Sequence, residues 1–269
     1  MTSVTSATGS SLAPGGTTVL VVRGLARRSL VNLSRLPSAF LPSLVMPIFL
    51  TIAFSGAFSA ITKLPTFPTH NSLDWFMPLA AIQGSSFGGI GVAFGAVRDL
   101  ESKFFDRLLM APAPRRALLL GPLVAGTLRA LPPVVLVATV GFIGGAALPG
   151  GPLGLLTLLV ACFGLGVIAC GWGLGLAYRI KTNAAGALAQ VGIFFIVFLS
   201  SAQTPLSVMR GWLHGVARIN PMTNILRLAR EGFLGHVTWG QTWGGLAALV
   251  VVVPFAIAFA ATGLRKVVP

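Results

Sequence analysis

The sequence predicts an all-α membrane protein with six transmembrane helices, and three observations carry that reading. Its 269 residues are 55% hydrophobic and only 9% charged, against roughly a quarter charged in soluble domains. The mean hydropathy is +0.88. The few charges leave long gaps at 36–62, 75–97, 130–178, 182–209 and 232–264. A charge at the bilayer centre costs roughly 2.5 kcal/mol or more, so those gaps mark the spans.

A hydrocarbon core of about 30 Å takes about 20 helical residues. The longest gap must therefore turn back once, and Leu148-Pro149-Gly150-Gly151-Pro152 supplies the turn. The spans then fall at about 38–61, 75–97, 118–147, 153–178, 184–204 and 243–264. Ahead of them, residues 1–16 are small, polar and uncharged, the composition of a disordered tail. No basic segment precedes an apolar core there, so no cleavable signal peptide is expected. Val22, Leu25, Leu33 and Leu36 next share a helical face while Arg23, Arg27, Arg28 and Arg35 turn away, with Val31 an exception. That pattern predicts an N-terminal amphipathic helix at the interface.

Orientation follows from the basic residues. A cytoplasmic N-terminus puts the arginines before span 1, the basic cluster after span 2, Arg179 with Lys181, and Arg265 with Lys266 on the inside. Lys63 and the four arginines after span 5 are left outside. The positive-inside rule favours this topology, with both termini cytoplasmic. The net charge of +14 then belongs to loops beside anionic lipid, and nucleic-acid binding is not expected.

The segment VRDLESKFFDRLLMAPAPRR, 97–116, holds Asp99, Glu101 and Asp106, three of the chain's 5 acidic residues, among Arg98, Lys103, Arg107, Arg115 and Arg116. Leu100, Phe104, Phe105, Leu108 and Leu109 form one apolar helical face. Asp99 is spaced to pair with Lys103 at i+4, and Pro112 and Pro114 end the helix. An anionic membrane surface would repel the acids, whereas a protein partner of mixed charge accommodates them.

Within the spans, Gly84, Gly88, Gly91 and Gly95 form a small-residue stripe, echoed by Gly171 and Gly175 in span 4. Such stripes let backbones approach, inside one subunit or between two. GSSFG at 84–88 also matches the nucleophile elbow of serine hydrolases, but a transmembrane helix is the wrong setting for it. Cys162 and Cys170, eight residues apart on one helix, are expected to be buried thiols rather than a disulfide, metal or redox pair. No nucleotide-binding loop occurs, since no lysine follows a glycine. All 5 acids lie at helix ends or in loops, which disfavours a proton relay and with it an autonomous ion-coupled transporter. Arg129 stands apart. It either reaches an aqueous pathway or headgroup from within span 3, or marks an interfacial segment ahead of that span.

Two motifs resemble a known family. DLESKFFDRLLMAPAPRRALLLG, 99–121, is similar to the segment after the second span of ABC-2 type permeases, above all the drug-resistance branch typified by the daunorubicin exporter's membrane subunit. Glu101, Phe104, Phe105, Arg107, Leu108, Leu109, Pro112 and Arg115 carry the match. SSAQTPLSVMRGWLHGVARINPMTNILRLAREGFLG, 200–235, resembles the family's signature between spans 5 and 6, through Pro205, Trp212, Leu213, Asn220, Pro221, Thr223 and Arg230. Lys103 and Arg210 depart from it, standing where a Gly and a Pro are common.

The resemblance covers about residues 17–266 and implies a non-enzymatic permease of the bacterial plasma membrane, one half of an efflux exporter. The expected cargo is hydrophobic or amphipathic, a drug or lipid, with polysaccharide export the family's alternative. The expected path runs between subunits along spans 1, 2 and 5. The chain itself would bind no cofactor; ATP and Mg²⁺ would belong to separate ATP-binding cassette subunits, and a second permease would complete a homodimer or heterodimer. The helix at 98–110 would be the cytoplasmic coupling element, with Asp99, Asp106 and Glu101 among its docking residues. The segment after span 5 would form re-entrant outer helices. There Asn220 and Pro221 fit a helix start, and Arg227 is spaced to pair with Glu231.

Overall fold

A computed structural model describes residues 14–35, 37–60, 62, 67–110, 115–235 and 237–267. Among them all regular structure is helical. The helices are α1 (Pro14–Arg35), α2 (Pro37–Ala57), α3 (Ser72–Glu101), α4 (Phe104–Met110), α5 (Arg115–Arg129), α6 (Leu131–Ile143), α7 (Gly151–Ile180), α8 (Ala184–Phe198), α9 (Trp212–Ile219), α10 (Pro221–Leu234) and α11 (Trp239–Leu264). Four stretches are long and apolar enough to cross a bilayer: α3, α5 with α6 as Arg116–Ile143, α7 and α11. Val45–Ala57 and Ala184–Phe198 are apolar but shorter.

Several expected boundaries move, each for a local reason. The third span is two helices, because Pro132 and Pro133 cannot donate to the carbonyls one turn back and the chain breaks at Ala130. It ends at Ile143, where Gly144 and Gly145 leave the helix, Gly145 with φ +94°. The fifth expected span, 184–204, is helical only to Phe198; at 1.5 Å per residue, α8 is roughly 22 Å long. Of the expected tail, 14–16 already belong to α1, and 1–13 lie outside the described residues. The expected turn at 148–152 is present, with Gly151 at φ +56°.

The bundle is built around α3 and α7. Both run the same way, since Ser85 lies against Cys162, Gly89 against Gly166 and Phe105 against Tyr178. The stripe expected in α3 is real at two positions. A Cβ on Gly88 would stand 2.5 Å from the Arg129 carbonyl oxygen, and one on Gly84 would stand 2.7 Å from Pro133. Gly91 has ordinary contacts and Gly95 faces open space, so the lower half of the stripe is not a packing seam. On α7, Gly171 meets the Ala256 carbonyl and Gly175 the Phe259 ring, which seats α11. Cys162 and Cys170 are free and buried. Ser86 donates to Ile82 within its own helix, as a hydroxyl buried in a membrane helix does, so the elbow motif is structural.

The bundle has two ends. One gathers α1, the end of α3, α4, the start of α5 and the ends of α7 and α11; here Arg179 donates to the Phe259 carbonyl and to Thr262. The other gathers the α6–α7 turn, the end of α8, α9 and α10, and there the Gly150 N–H donates to the Gly232 carbonyl.

Candidate functional sites at the two ends of the bundle

At the α1 end, the expected single helix over 98–110 is a corner between two. Ser102 caps α3, and Lys103 takes the left-handed conformation, φ +53°, before α4 begins. Only glycine adopts that region without a side-chain penalty of about 1–2 kcal/mol. This gives a physical reason for the glycine common in this part of the motif. The turn also carries Lys103 out of i+4 register, and Asp99 is claimed instead by Arg28 of α1. Nη1 and Nη2 of Arg28 donate to the two Asp99 oxygens at 2.9 and 2.6 Å, a bidentate pair. The Arg28 guanidinium lies 3.8 Å over the Phe104 ring. Hydrogen bonding to Asp99 raises the Arg28 guanidinium above its ordinary pKa against the opposing effect of burial, and the Asp99 charge adds to the rise. Arg28 therefore does not turn away with Arg23 and Arg27, which remain exposed.

Phe105 is buried against Tyr178, with ring centroids 6.2 Å apart, in a cluster with Leu118 and Leu123. Among the described residues, the exposed surface of the corner includes Glu101, Ser102, Lys103, Arg107 and Met110, the last 80% exposed. Asp106, Leu108 and Leu109 lie within α4, and Arg115 opens α5; Pro112, Pro114 and Leu36 lie outside the described residues. Arg129, at the end of α5, is buried under α1 and donates through Nη2 to the Ser29 carbonyl at 2.6 Å.

At the α10 end, the second motif closes off α8. A helix that stops at Phe198 leaves its last carbonyls without intrahelical donors. Asn220 Nδ2 donates to the carbonyls of Ile196 and Leu199 at 2.7 and 3.1 Å, while its Oδ1 accepts the Met222 N–H at 2.9 Å and so caps α10. Pro221 takes the first helical position. Thr223 Oγ1 donates to the Ala217 carbonyl of α9 at 2.6 Å and accepts the Ser201 N–H at 3.3 Å. Arg230 is 2% exposed and donates to the carbonyls of Trp75, Ser201 and Ala202 at 3.0, 2.6 and 2.5 Å. Its guanidinium stacks 3.7 Å over the Trp75 ring. The cation thus sits where the α8 dipole is negative.

The expected Arg227–Glu231 pair does not form. Glu231 turns inward, where its Oε2 accepts from the Thr242 hydroxyl at 2.8 Å and Oε1 has no partner, while Arg227 stays exposed. Pro205 is buried, Leu213 half-buried and Trp212 73% exposed on α9, beside Val216 and Ile219 on the same open surface. Local spacing gave no sign of Trp75 or Arg28, whose partners lie 155 and 71 residues away. Asp74 was missed likewise: it ties the start of α3 to the α6–α7 turn by accepting the Ala147 N–H at 2.9 Å.

Residues 21–234, spanning both motifs, match the ABC-2 type transporter family. The chain belongs to this family. This ABC-2 permease is also similar to the transport permease ycf38 of Pyropia yezoensis, 24% identical over 242 residues that cover 86% of the chain and 82% of the relative. The ycf38 protein of Cyanophora paradoxa is 24% identical over 224 residues, 80% of the chain and 74% of the relative. That of Porphyra purpurea is 23% identical over 236 residues, 84% and 80%. The permease is thus a multi-pass membrane protein of a transport family.

Proposed function

We propose that this ABC-2 permease is the membrane-spanning subunit of an ATP-driven exporter, with six spans and both termini in the cytoplasm of a bacterial cell. ATP and Mg²⁺ are bound and turned over by a separate ATP-binding cassette subunit, and two permeases form the working dimer. The α3–α4 corner is the docking element. The observation that carries this reading is the corner's exposed surface, which joins Glu101, Lys103 and Arg107 to the protruding Met110. Mixed charge around an apolar knob suits a folded protein partner. Behind it, the Arg28–Asp99 pair and the Phe105–Tyr178 contact couple the corner to α1 and α7, so a push on α4 is passed to both.

The cargo is hydrophobic or amphipathic, drug-like or lipid-like, as in the drug-resistance branch. Supporting this, α2 and α8 present Phe49, Ile52, Val191 and Phe195 outward, an apolar wall with no charged side chain among them.

The test is ATP-dependent efflux by the permease with its cognate ATPase, comparing wild type with Met110→Asp and Glu101→Ala. Both side chains are exposed, so the fold should survive. Loss of efflux and of stoichiometric ATPase co-purification is the expected result. Transport by the permease alone in liposomes, without ATP, overturns the reading.

A further inference from the structure

We propose that the cavity enclosed by α1, the end of α3, α4 and α5 is a phosphate site, taking a phosphomonoester or phosphodiester group against Arg98 and Arg129. It encloses about 320 Å³, and among its described lining residues Arg28, Arg98 and Arg129 stand opposite one carboxylate, Asp99. Both Asp99 oxygens are committed to Arg28. Arg98 and Arg129 form no ion pair among the described residues.

Arg129 makes the imbalance acute. It is only 8% exposed, and among the described residues one of its five N–H donors is used, on the Ser29 carbonyl, while its Nε is buried without a partner among them. Arg98 lines the same cavity and brings a second positive charge to it. A buried cation without a counter-charge is unfavourable, and phosphate supplies both the charge and several acceptor oxygens for a guanidinium edge. There is room on that side. Gly95 lines the cavity with open space where a Cβ would stand, and Arg129 Nη1 lies 3.8 Å from a Cβ built on Gly91.

Two sources offer this chemistry, a lipid headgroup or a soluble phosphate. The opposite flank of α1 carries an apolar groove lined by Val22, Leu30, Val124 and Leu128 and edged by Arg23 and Arg27, so the helix already lies where acyl chains and headgroups meet.

The experiment uses the full chain in phosphatidylcholine nanodiscs. The two probes are phosphatidylglycerol added to the discs and inorganic phosphate titrated into discs that lack it. Binding is read from the thermal midpoint and, for the lipid, from native mass spectrometry. Wild type should be protected by one probe, with affinity falling roughly tenfold or more in Arg129→Gln and several-fold in Arg98→Gln. Arg116→Gln, exposed and outside the cavity, should match wild type. Protection by the lipid identifies a headgroup site, and protection by phosphate alone a soluble ligand; both support the proposal. It is overturned if neither probe protects, if Arg98→Gln binds as wild type does, or if Arg116→Gln weakens binding equally. Arg98 is exposed, so its variant decides the matter even where Arg129→Gln fails to fold.

Discussion

Replacing Arg230 with leucine tests whether the second motif works by closing the end of α8. The guanidinium supplies three hydrogen bonds, to the carbonyls of Trp75, Ser201 and Ala202, in a site only 2% exposed. A hydrogen bond from a charged donor contributes roughly 1.5–3 kcal/mol. The stack on Trp75 adds about 2 kcal/mol when desolvated. Against this, leucine removes the cost of burying a cation, itself several kcal/mol. The carbonyls have no replacement donor, and each buried acceptor left unpaired costs about 1–3 kcal/mol, so after the relief of cation burial the net loss is about 3–5 kcal/mol.

For chains of 150–250 residues each kcal/mol moves the midpoint by roughly 2–4 °C, so Arg230→Leu should melt about 6–20 °C below wild type. Heating in mild detergent followed by fluorescence-detected size exclusion measures this. Arg230→Lys should recover only part of the loss, because an ammonium cannot fork to three carbonyls and stack as well. A leucine variant that melts with wild type would refute the closing role.

Other outcomes follow from single contacts. Gly88→Ala should cost about 1–3 kcal/mol, because its Cβ would meet the Arg129 carbonyl at 2.5 Å, whereas Gly95→Ala, facing open space, should be neutral or stabilising; thermal midpoints of the pair separate the two. Lys103→Gly should raise stability by about 1 kcal/mol by relieving the left-handed residue at φ +53°. Arg28→Ala and Asp99→Ala should show a coupling no larger than about 1 kcal/mol in a double-mutant cycle, diminished by salt, since both side chains are about a third exposed. Burial raises the Glu231 carboxyl above its ordinary pKa, against the Thr242 hydrogen bond and the Arg227 charge. Its contribution to stability is then complete below about pH 4.3 and lost as pH rises through the folded-state value. Glu231→Gln should flatten that decline in a midpoint-versus-pH series.

Much of this molecule was legible from charge spacing alone, because bilayer cost acts on each residue independently of its neighbours. The charge-free gaps located α3, α7 and α11, and the Leu148–Pro152 turn fell where the longest gap had to fold back. What sequence spacing could not supply was where a helix stops short. The gap from 182 to 209 reads as uninterrupted hydrophobic length, yet α8 ends at Phe198; Asn220 meets the carbonyls of Ile196 and Leu199 at its end, and Arg230 those of Ser201 and Ala202 in the turn beyond. The i+4 rule failed twice for a related reason. It assumes a continuous helix with both partners facing solvent, and Lys103 breaks the first condition while the inward turn of Glu231 breaks the second.

Two interruptions of the bundle's helices share one physical problem, and an arginine stands at each. In a membrane an interrupted helix is tolerated only where its freed backbone groups find partners in protein. At the α10 end Asn220 meets that condition for α8, and Arg230 does so for the turn beyond it and for α3, through the carbonyls of Ser201, Ala202 and Trp75. The other interruption is Ala130, between α5 and α6 and packed midway along α3 and α7 against Gly88 and Gly166, and the Arg129 side chain beside it reaches to α1, donating to the Ser29 carbonyl with its Nε unpaired among the described residues. A guanidinium tied to three carbonyls fixes the geometry of one end, whereas Arg129, with one such bond among the described residues, has donors left for the proposed phosphate. Since α3 and α7 run parallel between the two ends and α3 carries Trp75 against Arg230, a displacement of α3 as a body would reach both. On the proposed reading, a phosphate ligand would act at the α1 end while Arg230 holds the other, a division suited to the proposed drive from one side of the membrane.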